Sequence, residues 1–516
     1  VNIGVELTAA PRTGVHRYTF TGKGPRQVIV DLLHTVTEEK IDLCELRRTA
    51  PGELAGMRRT QGWVPDQYVF FAARFSEPFA DVQLLGDKQA VLTCAPDVRT
   101  LTIAVGLSSV SVENARMNSL AEVPELDFDA VHARAVGQWR KALGDIVVEG
   151  GSRDEMVNFY TALYHTMVAP SEFCDVNGDY RGSDGKVYRA APFVNYTTFS
   201  LWDTYRAAHP LYTLLQPERV PDMVNTMLDI YDEQGYLPVW HLYGSDTREM
   251  IGIQSVPVVA DAVMKGFPGI DYDRAFEAMK RSMLSDYKGL AWLRTQDYIP
   301  SDKEGESVAK GLEYALADGS IALAAEKLGC EEDARLFGRR ARFYTSYWDP
   351  ETRFFRGRNL NGSFREPFDP FHSTHRNDDY CEGTGWQYIW LVPHDVRGLI
   401  SLFGSEEAFT EKLDRLFTVE GDMGEQASGD ISGLIGQYAH GNEPGHHTVY
   451  LYAYAGQQWK TARMVRRILN EMYTDRPNGL AGNEDCGQMS AWHILSALGF
   501  YQVNPSCGVY SFGSPL

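Results

Sequence analysis

Five segments of this sequence bring together acidic, amide, histidine and aromatic residues, where ordinary solvated loops between helices are expected. Sugars are bound by aromatic platforms together with hydrogen bonds to carboxylate and amide groups, and these segments contain those residue types. If the segments meet at one end of a helical domain, they would surround a polar ligand such as a sugar. The five segments are 195–211, 235–252, 376–395, 430–447 and 479–492.

Each segment also has an ordinary structural explanation when it is taken alone. Trp202 beside Asp203 fits a buried indole next to a helix cap, and Glu382 before a glycine fits a solvated turn. The run 483–485 fits a polar turn. The fourth segment contains two adjacent histidines but the sequence has no H-E-x-x-H, so a zinc site is disfavoured. It is the occurrence of five such segments in one chain that favours a functional site.

The first part of the chain has the pattern of β-structure. Short runs rich in β-branched and aromatic residues alternate with Gly, Pro, Asp and Asn, which is typical of a sandwich or a curved antiparallel sheet. We expect strands over 15–20, 27–33, 67–75, 88–94 and 100–110 and a helix over 128–146. The predicted domains are a partial amino-terminal β-sandwich over 1–125, a helical linker over 126–150 and a helical catalytic domain over 151–516.

From residue 152 onward the apolar residues recur at helical spacing. About a dozen helices without intervening strands favour stacked helical hairpins, and a closed ring of six hairpins, an (α/α)6 toroid, suits that number. An open α-solenoid and an irregular helical domain are alternatives, although no repeat of fixed period is visible. The expected helices include 221–235, 256–265, 311–328, 332–348, 385–392, 406–416, 431–439, 449–472 and 489–497.

Composition narrows the classes of function. The 516 residues include 49 basic and 69 acidic ones, which gives a formal charge of −20 and disfavours nucleic-acid binding. No apolar run approaches the ~20 residues of a membrane helix, and the first residues lack the features of a secretory signal. The seven cysteines are scattered without a C-x-x-C pair, which predicts mostly buried thiols rather than a disulfide scaffold or a structural zinc site.

Long strings of the sequence resemble glycoside hydrolase family 92 in the correct order. They are FSLWDTYRAAHPL, LPVWHLYG, CEGTGWQYIWLVPHD, YAHGNEPGHH and GNEDCGQMSAWHILSALGFYQVNP, with HRYTF, NFYTALYHT and VGLSSVS in the first third. That family comprises calcium-dependent, exo-acting α-mannosidases that invert anomeric configuration, built from a β-sandwich, a helical linker and a six-hairpin toroid. The resemblance implies hydrolysis of terminal α-mannosides, with α-1,2 linkages expected first, and mannose-containing glycans as partners. It also implies an extracellular or periplasmic location for the full-length protein.

The resemblance implies a general acid at Glu382 and a general base at Asp485, with Glu484 in reserve. An inverting glycosidase keeps its two carboxyl groups about 6.5–9.5 Å apart, with one protonated and one ionised. Aromatic neighbours of Glu382 would favour its protonated form. The position two before Asp485 is Asn483, so a second acid expected there is absent and Asp485 would act alone.

The resemblance also implies calcium, which would chelate the cis O2 and O3 of mannose. The oxygen donors offered for this ion are Asn442, Glu443 and Asn483, since no EF-hand loop is present. Trp202 and Asp203 match the sugar-binding pair of the family. Further substrate contacts are expected, at the rim of the site, from Arg206, His241, Gln387, Glu443 and His446.

Two other functions compete with hydrolysis. A sugar-binding protein that has lost catalysis is disfavoured by the presence of Glu382 and Asp485. A polysaccharide lyase is disfavoured because the five segments contain few of the cations that bind uronates. Cys381 and Cys486 adjoin the two carboxylates, and we expect two separate thiols there rather than a disulfide.

Family members begin well before a segment like VELTAAPRTGVHRYTF and continue past one like SFGSPL. We therefore expect this chain to be truncated at both ends, with too few strands to close the sandwich. Missing strands would expose sheet edges and leave one apolar face of the β-region open.

Overall fold

The structure is a computed structural model that describes residues 2–36, 39–86 and 88–516. Nine strands, in which apolar and polar residues alternate, lie within residues 3–108 of the described chain. In one of these strands Ala90, Leu92 and Cys94 are buried while the residues between them are partly exposed, as the period of two requires. The strands are β1 (Ile3–Ala9), β2 (Thr13–Phe20), β3 (Gln27–Asp31), β4 (Lys40–Ala50), β5 (Glu53–Gln61), β6 (Gln67–Phe75), β7 (Phe79–Leu85), β8 (Gln89–Cys94) and β9 (Thr100–Ser108).

These strands form two antiparallel sheets. The larger sheet has the strand order β1-β2-β9-β6-β5-β4, and the smaller one has the order β3-β8-β7. Buried residues of both sheets, among them Phe20, Phe75, Leu92 and Leu101, belong to a single apolar cluster. The two sheets therefore pack as the layers of a sandwich, as the sequence predicts.

The smaller sheet covers only part of the larger one. Beside the shared core, an apolar cavity of about 380 Å³ is lined by side chains of both sheets, including Val30, Phe71 and Val105. On the edge strand β1, Val5 is 56% exposed and Leu7 is 64% exposed. Part of the apolar surface of this unit is therefore exposed, while the expected shortage of strands stays a prediction.

The opposite face of the larger sheet packs against two helices, α1 (Val112–Glu122) and α2 (Phe128–Leu143). A second apolar cluster joins β2, β9 and α2. Helix α1 approaches β9 closely because Gly106 has no side chain: a Cβ atom there would lie 2.1 Å from the carbonyl oxygen of Ala115. Helix α1 is not apparent from the sequence because its apolar residues do not follow one helical face.

The chain forms two units, and it returns to the first one after leaving it. The strand-rich unit comprises Val1–Val147, Ser171–Thr198 and His241–Thr247, and the helical unit comprises the remaining residues. Residues 151–516 were expected to form one domain. In the structure, two segments of that range, Ser171–Thr198 and His241–Thr247, belong to the strand-rich unit instead. The short strands of these two segments are β10 (Ser171–Glu172), β11 (Tyr180–Arg181), β12 (Val187–Tyr188), β13 (Tyr196–Thr197), Trp240–Leu242 and Ser245–Asp246.

A buried carboxylate explains why the segment 171–198 belongs to the first unit. Asp175 accepts hydrogen bonds from the Ser108 hydroxyl at 2.8 Å and from the side-chain amides of Asn114 and Asn118 at 2.7 Å each. Both amides belong to α1. A buried amide without a partner destabilises the fold. The two asparagines of α1 therefore need Asp175, which lies more than fifty positions later in the chain.

The helical unit is built from α-helices of four to 22 residues. Short 3-10 helices span Tyr287–Gly289, Trp292–Arg294, Phe343–Tyr347, Glu443–Gly445 and Thr448–Ala455, and short strands span Phe199–Ser200, Trp348–Asp349, Phe354–Phe355, Leu434–Ile435, Tyr438–Ala439, Phe500–Tyr501 and Ser511–Phe512. The α-helices are α3 (Arg153–His165), α4 (Leu201–Thr204), α5 (Ala208–Leu215), α6 (Val220–Gln234), α7 (Ser255–Lys265), α8 (Tyr272–Met283), α9 (Ser307–Leu328), α10 (Glu331–Arg340), α11 (Gly385–Tyr388), α12 (Val396–Phe403), α13 (Glu406–Leu416), α14 (Gln458–Glu471) and α15 (Gln488–Leu498).

Most predicted helices are present, and their ends follow the expected signals. Helix α6 has Pro221 in its first turn and ends at Gly235, whose φ of 88° is left-handed. Helix α9 packs against α7, α8 and α10, so neighbouring helices contact as hairpins do. The closure of such hairpins into a ring of six stays a prediction. Within the described part of the chain, no helix combines the length and apolar character that a membrane span needs.

Three helix predictions are wrong. The predicted helix 332–348 is α10 followed by the 3-10 helix Phe343–Tyr347. Residues 431–439 form a short hairpin, Leu434–Ile435 with Tyr438–Ala439, because left-handed glycines at 433 and 436 interrupt any helix. The predicted helix 449–472 is a 3-10 helix followed by α14, since Gly456 adopts a left-handed φ of 70° between them. All seven cysteines are free thiols, and four of them are buried.

Candidate active site

Asp203 lies in the four-residue helix α4, between a short strand and α5. Its carboxylate accepts a hydrogen bond from the hydroxyl of Ser200, which is the residue just before α4. Asp203 is 5% exposed and the adjacent Trp202 is 1% exposed. The short helix α4 therefore contains both residues of the predicted sugar-binding pair, Trp202 and Asp203.

Asp203 meets two other predicted residues, Glu443 and Asp485. One carboxylate oxygen from each of the three lies within 4.8 Å of the other two. Glu443 begins a 3-10 helix and Asp485 lies in the loop before α15, so three distant segments supply the group. We call these three residues the carboxylate cluster.

The three carboxyl groups of this cluster cannot all be ionised unless a positive charge offsets their repulsion. Burial raises the pKa of Glu443 well above its ordinary value, and the nearby Asp203 and Asp485 raise it further. Burial also raises the pKa of Asp203, with Asp485 as the next cause. Neither carboxylate oxygen of Glu443 accepts a hydrogen bond from a donor in the described residues. The cluster must therefore contain bound protons or a cation.

Glu382 is half-buried, in the loop before α11, with a left-handed φ of 48°. The amide nitrogen of Asn442 donates to the backbone oxygen of Glu382 at 2.8 Å and lies 3.4 Å from its Oε2. Burial raises the pKa of Glu382 to about 7, assisted by the charges of Asp430 and Asp485. This carboxyl group is therefore able to donate a proton near neutral pH.

Three aromatic residues close to Glu382 in sequence are themselves buried. Tyr380, Trp386 and Tyr388 are each at most 4% exposed. The Tyr388 hydroxyl donates to the carbonyl oxygen of Cys381 at 2.5 Å, which fixes the backbone immediately before Glu382. Trp386 and Tyr388 lie in α11.

Glu484 and Asn483 have other partners. Glu484 accepts hydrogen bonds from the backbone of α15, with its Oε2 2.7 Å from the nitrogen of Gly487. The amide nitrogen of Asn483 donates to Asp430 at 3.3 Å. The side chain of Glu484 thus accepts hydrogen bonds from backbone nitrogens at the start of α15, whereas Asp485 belongs to the carboxylate cluster.

All five predicted substrate contacts are buried rather than at a rim, and three of them, Arg206, Gln387 and His446, bond other groups of the helical unit. Arg206 donates to Glu313 at 2.9 Å and to the backbone oxygen of Trp202 at 3.0 Å. Gln387 accepts from the nitrogen of Thr384 at 2.6 Å and donates to the carbonyl of Gln437 at 2.8 Å. These side chains support the segments that contain Trp202 and Glu382.

His446 is the third of these residues, and both of its ring nitrogens have partners. Nδ1 lies 2.9 Å from the amide nitrogen of Gln488 and Nε2 lies 3.1 Å from the carbonyl oxygen of His440. Burial lowers the pKa of His446 to about 3, so the ring is neutral at working pH.

His241 belongs to the strand-rich unit. Its Nδ1 lies 3.2 Å from the hydroxyl oxygen of Thr197, and burial lowers its pKa to about 4. Its predicted contact with substrate stays a prediction.

Several residues of the site were not singled out from the sequence. Asp430 and His375 form a second group with Glu382, with one ligand atom of each within 4.8 Å of the others. Glu313 is fully buried in α9 beneath Arg206. A charged residue flanked by apolar ones in a long predicted helix was the available signal for Glu313. Asp430 opens one of the five polar segments.

The chain matches the glycosyl hydrolase family 92 catalytic domain over residues 114–516 and the N-terminal domain of that family over residues 1–119. Among solved structures it is similar to a family GH92 α-mannosidase from Bacteroides thetaiotaomicron in complex with mannoimidazole, with 38% identity and a TM-score of 0.95. That match covers 100% of this chain and 71% of the relative. A family GH92 inverting mannosidase from Bacteroides thetaiotaomicron VPI-5482 is 32% identical, with a TM-score of 0.88 and coverage of 100% and 73%.

A curated relative from Arthroderma benhamiae (strain ATCC MYA-4681 / CBS 112371), described as an uncharacterized secreted glycosidase, is 25% identical over 451 residues. The match covers 80% of this chain and 52% of that protein, so the chain spans about half the length of this curated relative. The domain matches cover the whole sequence, and the two mannosidases share its fold throughout. This chain therefore belongs to glycosyl hydrolase family 92, as its sequence resemblance implied.

Proposed function

We propose that this chain is an exo-acting, inverting α-mannosidase that hydrolyses terminal α-mannosides of glycans, with α-1,2 linkages preferred. One observation supports the proposal most directly: a carboxyl group with a pKa of about 7, Glu382, is electrostatically coupled to the carboxylate cluster that contains Asp485. Inverting glycosidases need a protonated and an ionised carboxyl group on opposite sides of one sugar. The similarity to two mannosidases supports mannose as the sugar.

Glu382 is the proposed general acid. In its protonated form it would donate to the glycosidic oxygen as the bond to the anomeric carbon breaks, which leaves a neutral leaving group. Burial of this carboxyl group, together with the nearby charges of Asp430 and Asp485, favours its protonated form near neutral pH.

Asp485 is the proposed general base. Burial raises its pKa, but a hydrogen bond with Glu443 acts in the opposite direction. A cation bound beside both carboxylates would also favour the ionised form of Asp485. The ionised Asp485 would accept a proton from the water that attacks the anomeric carbon.

Calcium is the proposed cofactor, and the residues present fit it. The buried carboxylate of Glu443 lies beside oxygens of Asp203 and Asp485. Asn442 and Asn483 offer amide oxygens in the same loops. Hard cations such as Ca²⁺ prefer this set of oxygen donors. A bound calcium would supply chelation of the mannose O2 and O3 and polarisation of O2. We also propose that the full-length protein acts outside the cytoplasm, in line with a relative described as secreted.

The function is tested by hydrolysis of a panel of α-linked mannobioses, with product configuration followed by NMR. We expect β-mannose as the first product and α-1,2-mannobiose as the fastest substrate. Glu382→Gln should lower kcat by about 1,000-fold or more, because the acid accounts for most of the assistance to leaving-group departure. Binding of mannosides without hydrolysis by the wild type would favour the alternative function, a catalytically impaired mannose-binding protein.

The cofactor is tested by chelation, with a second readout that does not depend on turnover. We expect EDTA to abolish hydrolysis and calcium to restore it. Calcium should also raise the melting temperature of the wild type, because a cation relieves repulsion within the carboxylate cluster. Glu443→Gln should remove that shift, while Glu471→Gln, an exposed control in α14, should retain it. Full turnover after exhaustive chelation would contradict the proposal.

A further inference from the structure

Asp485 is followed by an unusual backbone turn. Asp485, Cys486 and Gly487 have φ angles of 48°, 55° and 96°, so three consecutive residues are left-handed. Only glycine adopts this region without strain, and the first two residues of the turn have side chains. A strained turn persists only where its surroundings impose it, and such turns are frequent at sites that must aim a side chain.

The side chain of Glu484 imposes this turn. Its Oε2 accepts from the nitrogen of Gly487 at 2.7 Å, and its Oε1 accepts from the nitrogen of Ser490 at 3.4 Å. Its backbone oxygen accepts from the nitrogen of Met489 at 3.2 Å. Glu484 therefore satisfies three backbone donors at the start of α15, and its negative charge suits the positive end of that helix.

The first turn of α15 also contacts the segments that contain the other two carboxylates. The side-chain oxygen of Gln488 accepts from the nitrogens of Ala207 and Ala208, just after α4. Its amide nitrogen contacts His446, three residues after Glu443. Trp492 donates to the carbonyl oxygen of His446 at 2.9 Å. One rigid helix end thus sets the relative positions of Asp203, Glu443 and Asp485.

We propose that Glu484 is a positioning residue: by bonding the start of α15 it fixes the left-handed turn that aims the Asp485 carboxylate at the attacking water. The inference rests on the proposed function, since it assigns Glu484 a task only if Asp485 is the base. Glu484 does not itself exchange a proton with the substrate. Its two oxygens face backbone N–H groups, so its contribution is geometric.

The test compares Glu484→Ala, Glu484→Gln and Glu484→Asp on α-1,2-mannobiose. Glu484→Ala should lower kcat by about 100-fold, which is the usual effect of misplacing a reacting group by about 1 Å. KM should change by less than about threefold, because water activation is needed only in the transition state. Glu484→Gln keeps an oxygen that accepts from Gly487 and should restore kcat to within about tenfold of the wild type.

Glu484→Asp is one methylene shorter and should lower kcat more than Glu484→Gln does, although it keeps the charge. The alkaline limb of the pH profile, set by Glu382, should stay in place in all three variants. If Glu484→Ala does not fold, the kcat values of Glu484→Gln and Glu484→Asp decide the test. Equal kcat values for those two variants, or a loss that appears in KM instead of kcat, would overturn the inference.

Asp395→Ala is the matched control. Asp395 is a half-buried carboxylate that caps α12 by accepting from the nitrogen of Gly398 at 2.9 Å. Its loss should lower the melting temperature and leave kcat per folded molecule unchanged. If Asp485→Asn retains wild-type kcat, the proposed function fails. If Asp485→Asn is inactive and Glu484→Ala has wild-type kcat, only the present inference fails.

Discussion

Glu382 shows how one residue acquires a chemical property from its surroundings. A solvated glutamate ionises near pH 4.5, whereas burial and two neighbouring acids raise the pKa of Glu382 to about 7. The folded state therefore binds a proton at Glu382 more tightly than the unfolded state does. Stability must fall as the pH rises from 4.5 to 7, because the unfolded chain releases this proton first.

Glu382→Gln should accordingly lose activity and gain stability. The amide cannot ionise, so the variant avoids the cost of a buried charge, about 1–3 kcal/mol above pH 7. At pH 4 both proteins are neutral at this position and should unfold alike. Urea denaturation at pH 4 and pH 8 measures the difference. In the wild type, kcat should decline as the pH rises through 7. An equal stability change at both pH values would contradict the assigned pKa.

Helix α9 is the element on which the helical unit depends most. It spans 22 residues and packs against α7, α8, α10 and the 3-10 helix Phe343–Tyr347. Gly311 makes one of these contacts possible, since a Cβ atom there would lie 2.2 Å from the Tyr347 hydroxyl oxygen. That hydroxyl accepts a hydrogen bond from the nitrogen of Ile299 at 2.8 Å, so Tyr347 has little freedom to move.

Gly311→Ala should therefore destabilise the protein by about 2–4 kcal/mol, because it overpacks a core contact and disturbs a buried hydrogen bond. Gly338→Ala in α10 is the control, as the nearest atom to its Cβ would be 4.0 Å away. That change should stabilise by about 0.5–1 kcal/mol through the better helix propensity of alanine. Thermal unfolding of both variants provides the measurement. Similar effects of the two substitutions would contradict the packing at Gly311.

At the scale of the whole molecule, the strand-rich unit depends on chain that follows α3. Asp175 occupies a buried position where three side chains of the earlier sequence donate to it. Burial raises the pKa of Asp175, and these hydrogen bonds act against that rise. A cut of the chain at residue 150, the boundary that the sequence suggests, would remove this carboxylate from the unit that needs it.

Asp175→Ala in the full chain should cost about 3–5 kcal/mol, since it leaves two buried amides and a hydroxyl without their acceptor. Lys186→Ala removes an exposed side chain of the same inserted segment and should change stability by less than about 1 kcal/mol. Differential scanning calorimetry compares the two. A fragment of residues 1–150 that unfolds cooperatively on its own would show that Asp175 is dispensable.

Local patterns determined much of this protein. Alternation in β8, the proline and glycine that bound α6, and the long apolar period of α9 depend on neighbours in sequence, so they can be identified without a structure. The strings around Glu382 and Asp485 also revealed the family. The hairpin at 434–439 could not be identified in this way, because it depends on two glycines whose left-handed φ is set by packing against other segments.

Only the tertiary structure decided which polar residues face a common space. The family resemblance favours Asp485 as the base and keeps Glu484 in reserve. In the structure the carboxylate of Glu484 accepts from the N–H groups at the start of α15, whereas the carboxylate of Asp485 lies beside those of Asp203 and Glu443. Arg206 and Gln387 likewise bond buried protein groups. The physical reason is that acidity and contact depend on distances across the fold, and residues from three remote segments set those distances together.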